Sequence, residues 1–148
     1  MAVADPLRIF GLGSNSNVIS VTETPSWIYK IVYNSSVHKQ PKPVEFLGGA
    51  LNDLRDFPLP VRREAGYQID KVQHGEEPDD WKPMKTVGVG VQEIRIQDEA
   101  GAFRVVYIAK LKDAVYVLHC FQKKTQRTSA QDIALAGKRY NELMRGAK

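Results

Sequence analysis

The stretch VQEIRIQDEAGAFRVVYIAKLKDAVYVLHCFQKKT, residues 91–125, decides the fold. Gln92 to Ile96 alternates polar and apolar residues, the period-2 pattern of a strand with one buried face. Asp98-Glu99-Ala100-Gly101 reads as a turn, with Gly101 free to take a positive φ. Phe103–Ala109 and Ala114–Phe121 are rich in Val, Ile, Tyr and Phe, which suit a pleated and largely buried surface. Lys110–Asp113 joins them, and a basic exit follows at Lys123-Lys124-Thr125-Gln126-Arg127. The stretch predicts an antiparallel meander with cations at its margins.

On the N-terminal side, Glu76–Pro83 reads as a loop that Trp81 pins to the core. Its acids lack the turn glycine and the ligand ladder of a calcium loop. Before it, Val61, Ala65, Ile69 and Val72 fall on one helical face, and Gly75 is placed to end that helix. Val44, Leu47, Leu51 and Leu54 predict an earlier helix that starts at Pro43 and is broken by Pro58 and Pro60. Trp27–Tyr33 predicts a strand. Residues 1–26 read as a leader; their Gly11-Leu12-Gly13 lacks the third glycine and the Gly-Lys-Ser/Thr ending of a phosphate loop. On the C-terminal side, Thr128 or Ser129 can cap a last helix lined by Ile133, Ala136, Tyr140, Leu143 and Met144.

The predicted order is β-α-α-β-β-β-α. It describes an α+β domain over residues 27–148, a small twisted antiparallel sheet with a helical hairpin and a C-terminal helix packed on one face.

No apolar run approaches the ~20 residues that cross a bilayer as a helix, and the N-terminus lacks a signal-peptide pattern, so a cytoplasmic protein is expected. Cys120 is the sole cysteine, which excludes an internal disulfide and any zinc site built on several cysteines. It sits in the most apolar strand and reads as a buried structural thiol. The net charge of +4 conceals an asymmetry. Residues 1–80 hold 8 Lys/Arg and 11 Asp/Glu, a balance of −3, whereas residues 81–148 hold 13 and 6, a balance of +7. The basic half contains the meander, and a cationic sheet favours a polyanionic partner such as nucleic acid.

Glu93 and Arg95 share one face of their strand, while Ile94 and Ile96 share the other. Arg104 is expected close by across the turn, and Lys123, Lys124 and Thr125 leave the third strand. One carboxylate among such cations suits attack at a phosphodiester, because the cations stabilise charge growing on the non-bridging oxygens. In RNA the nucleophile can be the substrate's own 2′-hydroxyl, so the chemistry needs a base, an acid and positive charge, with no cofactor or metal. His119 reads as a core or rim residue on the face of Val115, Val117 and Phe121. His38 and His74 show no ligand spacing.

Three phrases carry a family resemblance: KPVEFLG from Lys42, VQEIRI from Val91 with FRVVY from Phe103, and HCFQKKT from His119. Together with the order of elements, they resemble the HigB-like branch of the RelE/ParE toxin superfamily, often phage-borne, over roughly residues 27–143. The resemblance implies the toxin of a type II toxin–antitoxin system, an endoribonuclease that cuts messenger RNA on the ribosome. The antitoxin partner would carry a helix-turn-helix domain. Carried over by motif, Arg95 and Arg104 would bind the scissile phosphate. Lys123 and Lys124 would add charge or move a proton, with Glu93 as orienter or base; Thr125 and Arg127 would extend the RNA contact. The resemblance brings no membrane partner and leaves room for a homodimer. Two other readings share the fold: a ParE-type inhibitor of DNA gyrase, and a non-catalytic regulator that binds RNA or the ribosome.

Overall fold

A computed structural model describes residues 40–146. The expected leader and the Trp27–Tyr33 strand lie outside these residues. The described elements are β1 (Val44–Phe46), α1 (Ala50–Arg55), α2 (Leu59–Gln73), β2 (Trp81–Pro83), β3 (Val91–Asp98), β4 (Gly101–Ile108), β5 (Val115–Lys123) and α3 (Ala130–Gly146). The strands form one sheet in the order β1-β5-β4-β3-β2.

The meander forms as its alternation predicts. β3 and β4 pair from Val91 opposite Ile108 to Asp98 opposite Gly101, whose φ of 132° makes the tight return. β4 and β5 pair with a register shift: Val106 faces His119 while Tyr107 faces Val117, so Leu118 is the extra residue of a bulge.

Two expectations are corrected. Val44–Phe46 is a strand, not the start of a helix, and runs parallel to β5 with Val44 opposite Val115. Pro41 and Pro43 keep the residues before them extended, and Val44 and Phe46 suit a sheet. Gly48, at φ 55°, then turns the chain into α1, and a Cβ there would stand 2.5 Å from the Arg139 Nε. Trp81–Pro83 is likewise a strand rather than a loop, with Trp81 opposite Ile94 and Lys82 opposite Glu93. Its place at the sheet edge tolerates Pro83, which has no amide to donate. The sheet is therefore five-stranded and mixed, with one parallel pair at its margin.

Helices cover both faces, where one face was expected. Val61, Ala65, Ile69 and Val72 of α2 pack with Leu54 of α1 on Ile94, Ile96, Phe103, Val105 and Tyr107. On the opposite face Ala136, Ile133 and Tyr140 of α3 pack on Val91, Val106, Leu118 and Phe121. Burying a side chain of the size of Ile or Phe contributes about 1.5–3 kcal/mol, so the sheet is held by two cores. Lys42 adds a clip: its Nζ donates to the carbonyls of Ala109 and Leu111 at 2.6 and 2.7 Å, fixing the β4–β5 connection. On the face that α3 covers, Glu93 and Arg104 are buried, and Lys123 at the end of β5 is partly exposed.

Candidate functional site

The alternation of β3 puts Val91, Glu93 and Arg95 on the face that α3 covers. Glu93 is only 2% exposed, an unusual place for a carboxylate. Two cations flank it. The Arg104 Nε stands 3.8 Å from its Oε1, and the Lys82 Nζ stands 3.9 Å from its Oε2. Both separations exceed hydrogen-bond length. The Glu93 Oε1 and the Arg104 Nε consequently have no hydrogen-bond partner although both are buried.

Arg104 is almost as buried as Glu93, and its Nη1 donates to the Phe103 carbonyl at 3.0 Å. Burial draws its pKa down, the Glu93 carboxylate opposes that, and the neighbouring Arg95 adds to it. A guanidinium starts so high that it stays charged.

Above this pair opens a cleft of ≈ 830 Å³. Glu93, Lys82, Lys85, Lys123 and Arg127 supply its charges, and Pro83, Met84 and Ile133 give it an apolar side. The Lys123 ammonium titrates below its ordinary value of 10.5, first because it is desolvated and next because Arg104 repels it. Lys82 and Arg95 push the same way, and Glu93 pushes back. The arrangement offers an acceptor without a donor at the floor, a lysine eased toward releasing its proton, and further cations around the mouth. A phosphodiester bearing a free hydroxyl fits that set chemically.

The structure distributes the expected residues unevenly. Glu93, Lys123 and Arg127 line the cleft. Arg104 lies beneath it, where it holds Glu93 and contributes potential rather than a direct ligand. Arg95 is opposite Arg104 in register but turns to Asp80, with Nε 3.8 Å from the carboxylate. Lys124 lines a separate hollow with Asp53 and Asp56. The Thr125 hydroxyl closes its own loop by donating to the Arg127 carbonyl. Lys82 and Lys85 are members that sequence reasoning missed: Lys82 falls in the Glu76–Pro83 segment that reads as loop, and Lys85 in the stretch after it that carries no assignment. The signal was present: in Trp81-Lys82-Pro83-Met84-Lys85, bulky apolar residues separate the cations.

His119 is buried as expected, but the bulge puts it on the face of Phe121, away from Val115 and Val117. Its Nε2 is 2.7 Å from the Asp132 carboxylate, and its ring stacks on Phe121 at 5.1 Å. Cys120 is buried in the opposite core, where desolvation pushes its thiol up to about 12. Among the described residues no three His, Cys, Asp or Glu side chains gather as a metal site. No described helix is long and apolar enough to cross a membrane.

Residues 52–141 match the family described as Phage derived protein Gp49-like (DUF891). The chain belongs to this family. The matched span runs from α1 into α3 and includes Lys82, Glu93, Arg104 and Lys123. Gp49-like proteins are a RelE- and toxin-like family, commonly toxins of toxin–antitoxin systems, and the family suggests an antitoxin as partner. The five-stranded sheet and C-terminal helix of this Gp49-like chain are consistent with a RelE-like fold. No curated protein matches it.

Proposed function

We propose that this Gp49-like protein is a HigB-like toxin that cleaves messenger RNA on the ribosome in the bacterial cytoplasm. The observation carrying the reading is the Glu93 Oε1, buried and unbonded at the floor of a cationic cleft. Such an acceptor costs roughly 1–3 kcal/mol while it lacks a donor, and the 2′-hydroxyl of a bound nucleotide would provide one. In the proposed reaction Glu93 takes the proton from that hydroxyl as its oxygen attacks the adjacent phosphorus. Lys123 gives its proton to the departing 5′-oxygen. The products are a 2′,3′-cyclic phosphate and a free 5′-hydroxyl, so atoms and protons balance without an added reactant.

Lys82 and Arg127 would hold the non-bridging oxygens, while Arg104 keeps the Glu93 carboxylate in place and Arg95 raises the local potential. Lys123 suits the acid because its lowered pKa brings proton release closer to neutral pH. The three sequence phrases support the HigB-like assignment, and the basic half of the chain supports a polyanionic substrate. A helix-turn-helix antitoxin would restrain the activity.

The test is tightly induced expression in bacteria of wild type beside Lys123→Ala and Glu93→Gln, with growth followed and new messenger-RNA 5′ ends mapped. Growth arrest with new in-frame ends, both lost in folded variants, is the expected result. Arrest without new ends would sink the nuclease reading and favour gyrase inhibition or plain ribosome binding.

A further inference from the structure

A second, smaller hollow of ≈ 370 Å³ opens beside β5, away from the cleft residues, and holds a buried polar atom that the reaction above does not use. Asp53, Asp56 and Phe57, from α1 and the turn after it, form one wall. His119, Phe121 and Gln122 of β5 form the other. The His119 side chain is 6% exposed. Its Nε2 lies 2.7 Å from the Asp132 Oδ1; in the neutral tautomer that donates Nε2–H there, Nδ1 is a lone-pair acceptor. That Nδ1 is buried with no hydrogen-bond partner. The nearest charged atom is the Asp53 Oδ2 at 3.9 Å, itself an acceptor. In that tautomer two acceptors face one another with no donor between them.

Three kinds of donor could fill the gap: a proton on His119, a metal ion, or a cationic side chain. A proton or an ion would leave the rest of the hollow empty, and among the described residues no three His, Cys, Asp or Glu side chains gather as a metal site. A guanidinium fits better. Its separate N–H groups can serve Nδ1 and Asp53 together, and Asp56 adds charge. The acids also stand out on a chain whose residues 81–148 are strongly basic, so the hollow selects a positive partner against the prevailing field. Lys124 lines the same hollow and limits the charge it can accept to a single cation.

We infer that this hollow is a docking site for one arginine side chain presented by a partner protein. The site is independent of the nuclease reading, because no cleft residue contributes to it.

The experiment is ¹⁵N NMR of the His119 ring in the full chain at pH 7, titrated with N-acetyl-arginine methylamide, its lysine analogue and its neutral citrulline analogue. An unprotonated Nδ1 whose resonance moves saturably with the arginine compound, and not with citrulline, is expected. Asp53→Asn should weaken that binding about tenfold, since it removes one charge-assisted contact. Asp53 is 43% exposed on its helix, so the variant should keep the wild-type circular dichroism spectrum. Four results would each overturn the inference: Nδ1 already protonated in the free protein, equal binding by the citrulline or lysine compound, indifference to Asp53→Asn, or a shift with zinc alone.

Discussion

Glu93 and Arg104 lie diagonally across neighbouring strands, both under 10% exposed, with Oε1 and Nε 3.8 Å apart and no hydrogen bond between those atoms. The pair is close enough to neutralise charge and too far apart to satisfy it. It therefore adds little net stability, yet neither member can be removed alone without leaving a buried charge.

A double-mutant cycle should show this. Glu93→Leu alone should destabilise the fold by about 3–5 kcal/mol, the range for a buried pair that loses one partner. Glu93→Leu with Arg104→Met should recover most of that loss, because two apolar side chains leave no charge unpaired. Urea unfolding of the four proteins gives the coupling; an additive double mutant would show that the pair does not act as a unit.

Lys123 should set the alkaline side of the pH profile. Its folded pKa is depressed below 10.5, so the folded protein gives up this proton more readily than the unfolded chain. Stability linked to this group is present above the unfolded value and is lost as pH falls through the folded one. Two results follow. Lys123→Met should be no less stable than wild type at neutral pH while cleavage is lost. In wild type, cleavage should decline with rising pH at a point below 10.5, where the acid is spent. An unfolding series and a rate profile over the same pH range check both; an alkaline limb persisting in Lys123→Met would assign the acid elsewhere.

Much of this was legible in the sequence, and the failures have physical causes. The meander was readable because Ile94 and Ile96 alternate with Glu93 and Arg95, and strict alternation admits only a strand with two unlike faces. The α2 face was readable because Val61, Ala65, Ile69 and Val72 repeat at helical spacing. Val44–Phe46 was misread because Val44, Leu47, Leu51 and Leu54 also fit a helix, and nothing local reveals that Val44 has Val115 as a partner 71 positions away. Trp81–Pro83 was misread because three residues are too few to show a period, and its strand character comes from the register with Gln92–Ile94. Lys82 was lost with it. The bulge at Leu118 was invisible for the same reason: it is a property of a pair of strands, and it moved His119 to the other face.

The N-terminus of α3 should control the cleft through a cap. The Ser129 Oγ accepts the Asp132 amide at 3.1 Å and donates to the Asp132 carboxylate, which also receives His119. The adjoining Thr128, Ala130 and Ile133 line the cleft. Ser129→Ala should cost about 1 kcal/mol of stability, as loss of an N-cap does, and should lower cleavage by loosening that wall. Ser129→Asn, another good cap, should restore both; chemical unfolding beside a cleavage assay decides, and unchanged stability in Ser129→Ala would show that the cap contributes nothing.

Lys82 and Lys124 offer the sharpest contrast between position in the chain and position in space. Lys124 adjoins Lys123 but lies just past the end of β5, and the structure puts it with Asp53 and Asp56. Lys82 is 41 positions from Lys123, yet it sits opposite Glu93 in register and helps lower the Lys123 pKa. Its side chain is 56% exposed, so its 3.9 Å contact with Glu93 contributes little to folding. A cation aimed at a phosphate in the transition state matters far more to rate than to stability. Lys82→Ala should leave the unfolding midpoint nearly unchanged and cut turnover on the order of 100-fold, as loss of one stabilising donor does. Lys124→Ala should change turnover by no more than about threefold, the scale of a surface charge acting through solvent. Single-turnover cleavage of one oligonucleotide by both variants separates them. The reverse order would place the phosphate on the other face of β5 and remove the cleft from the mechanism.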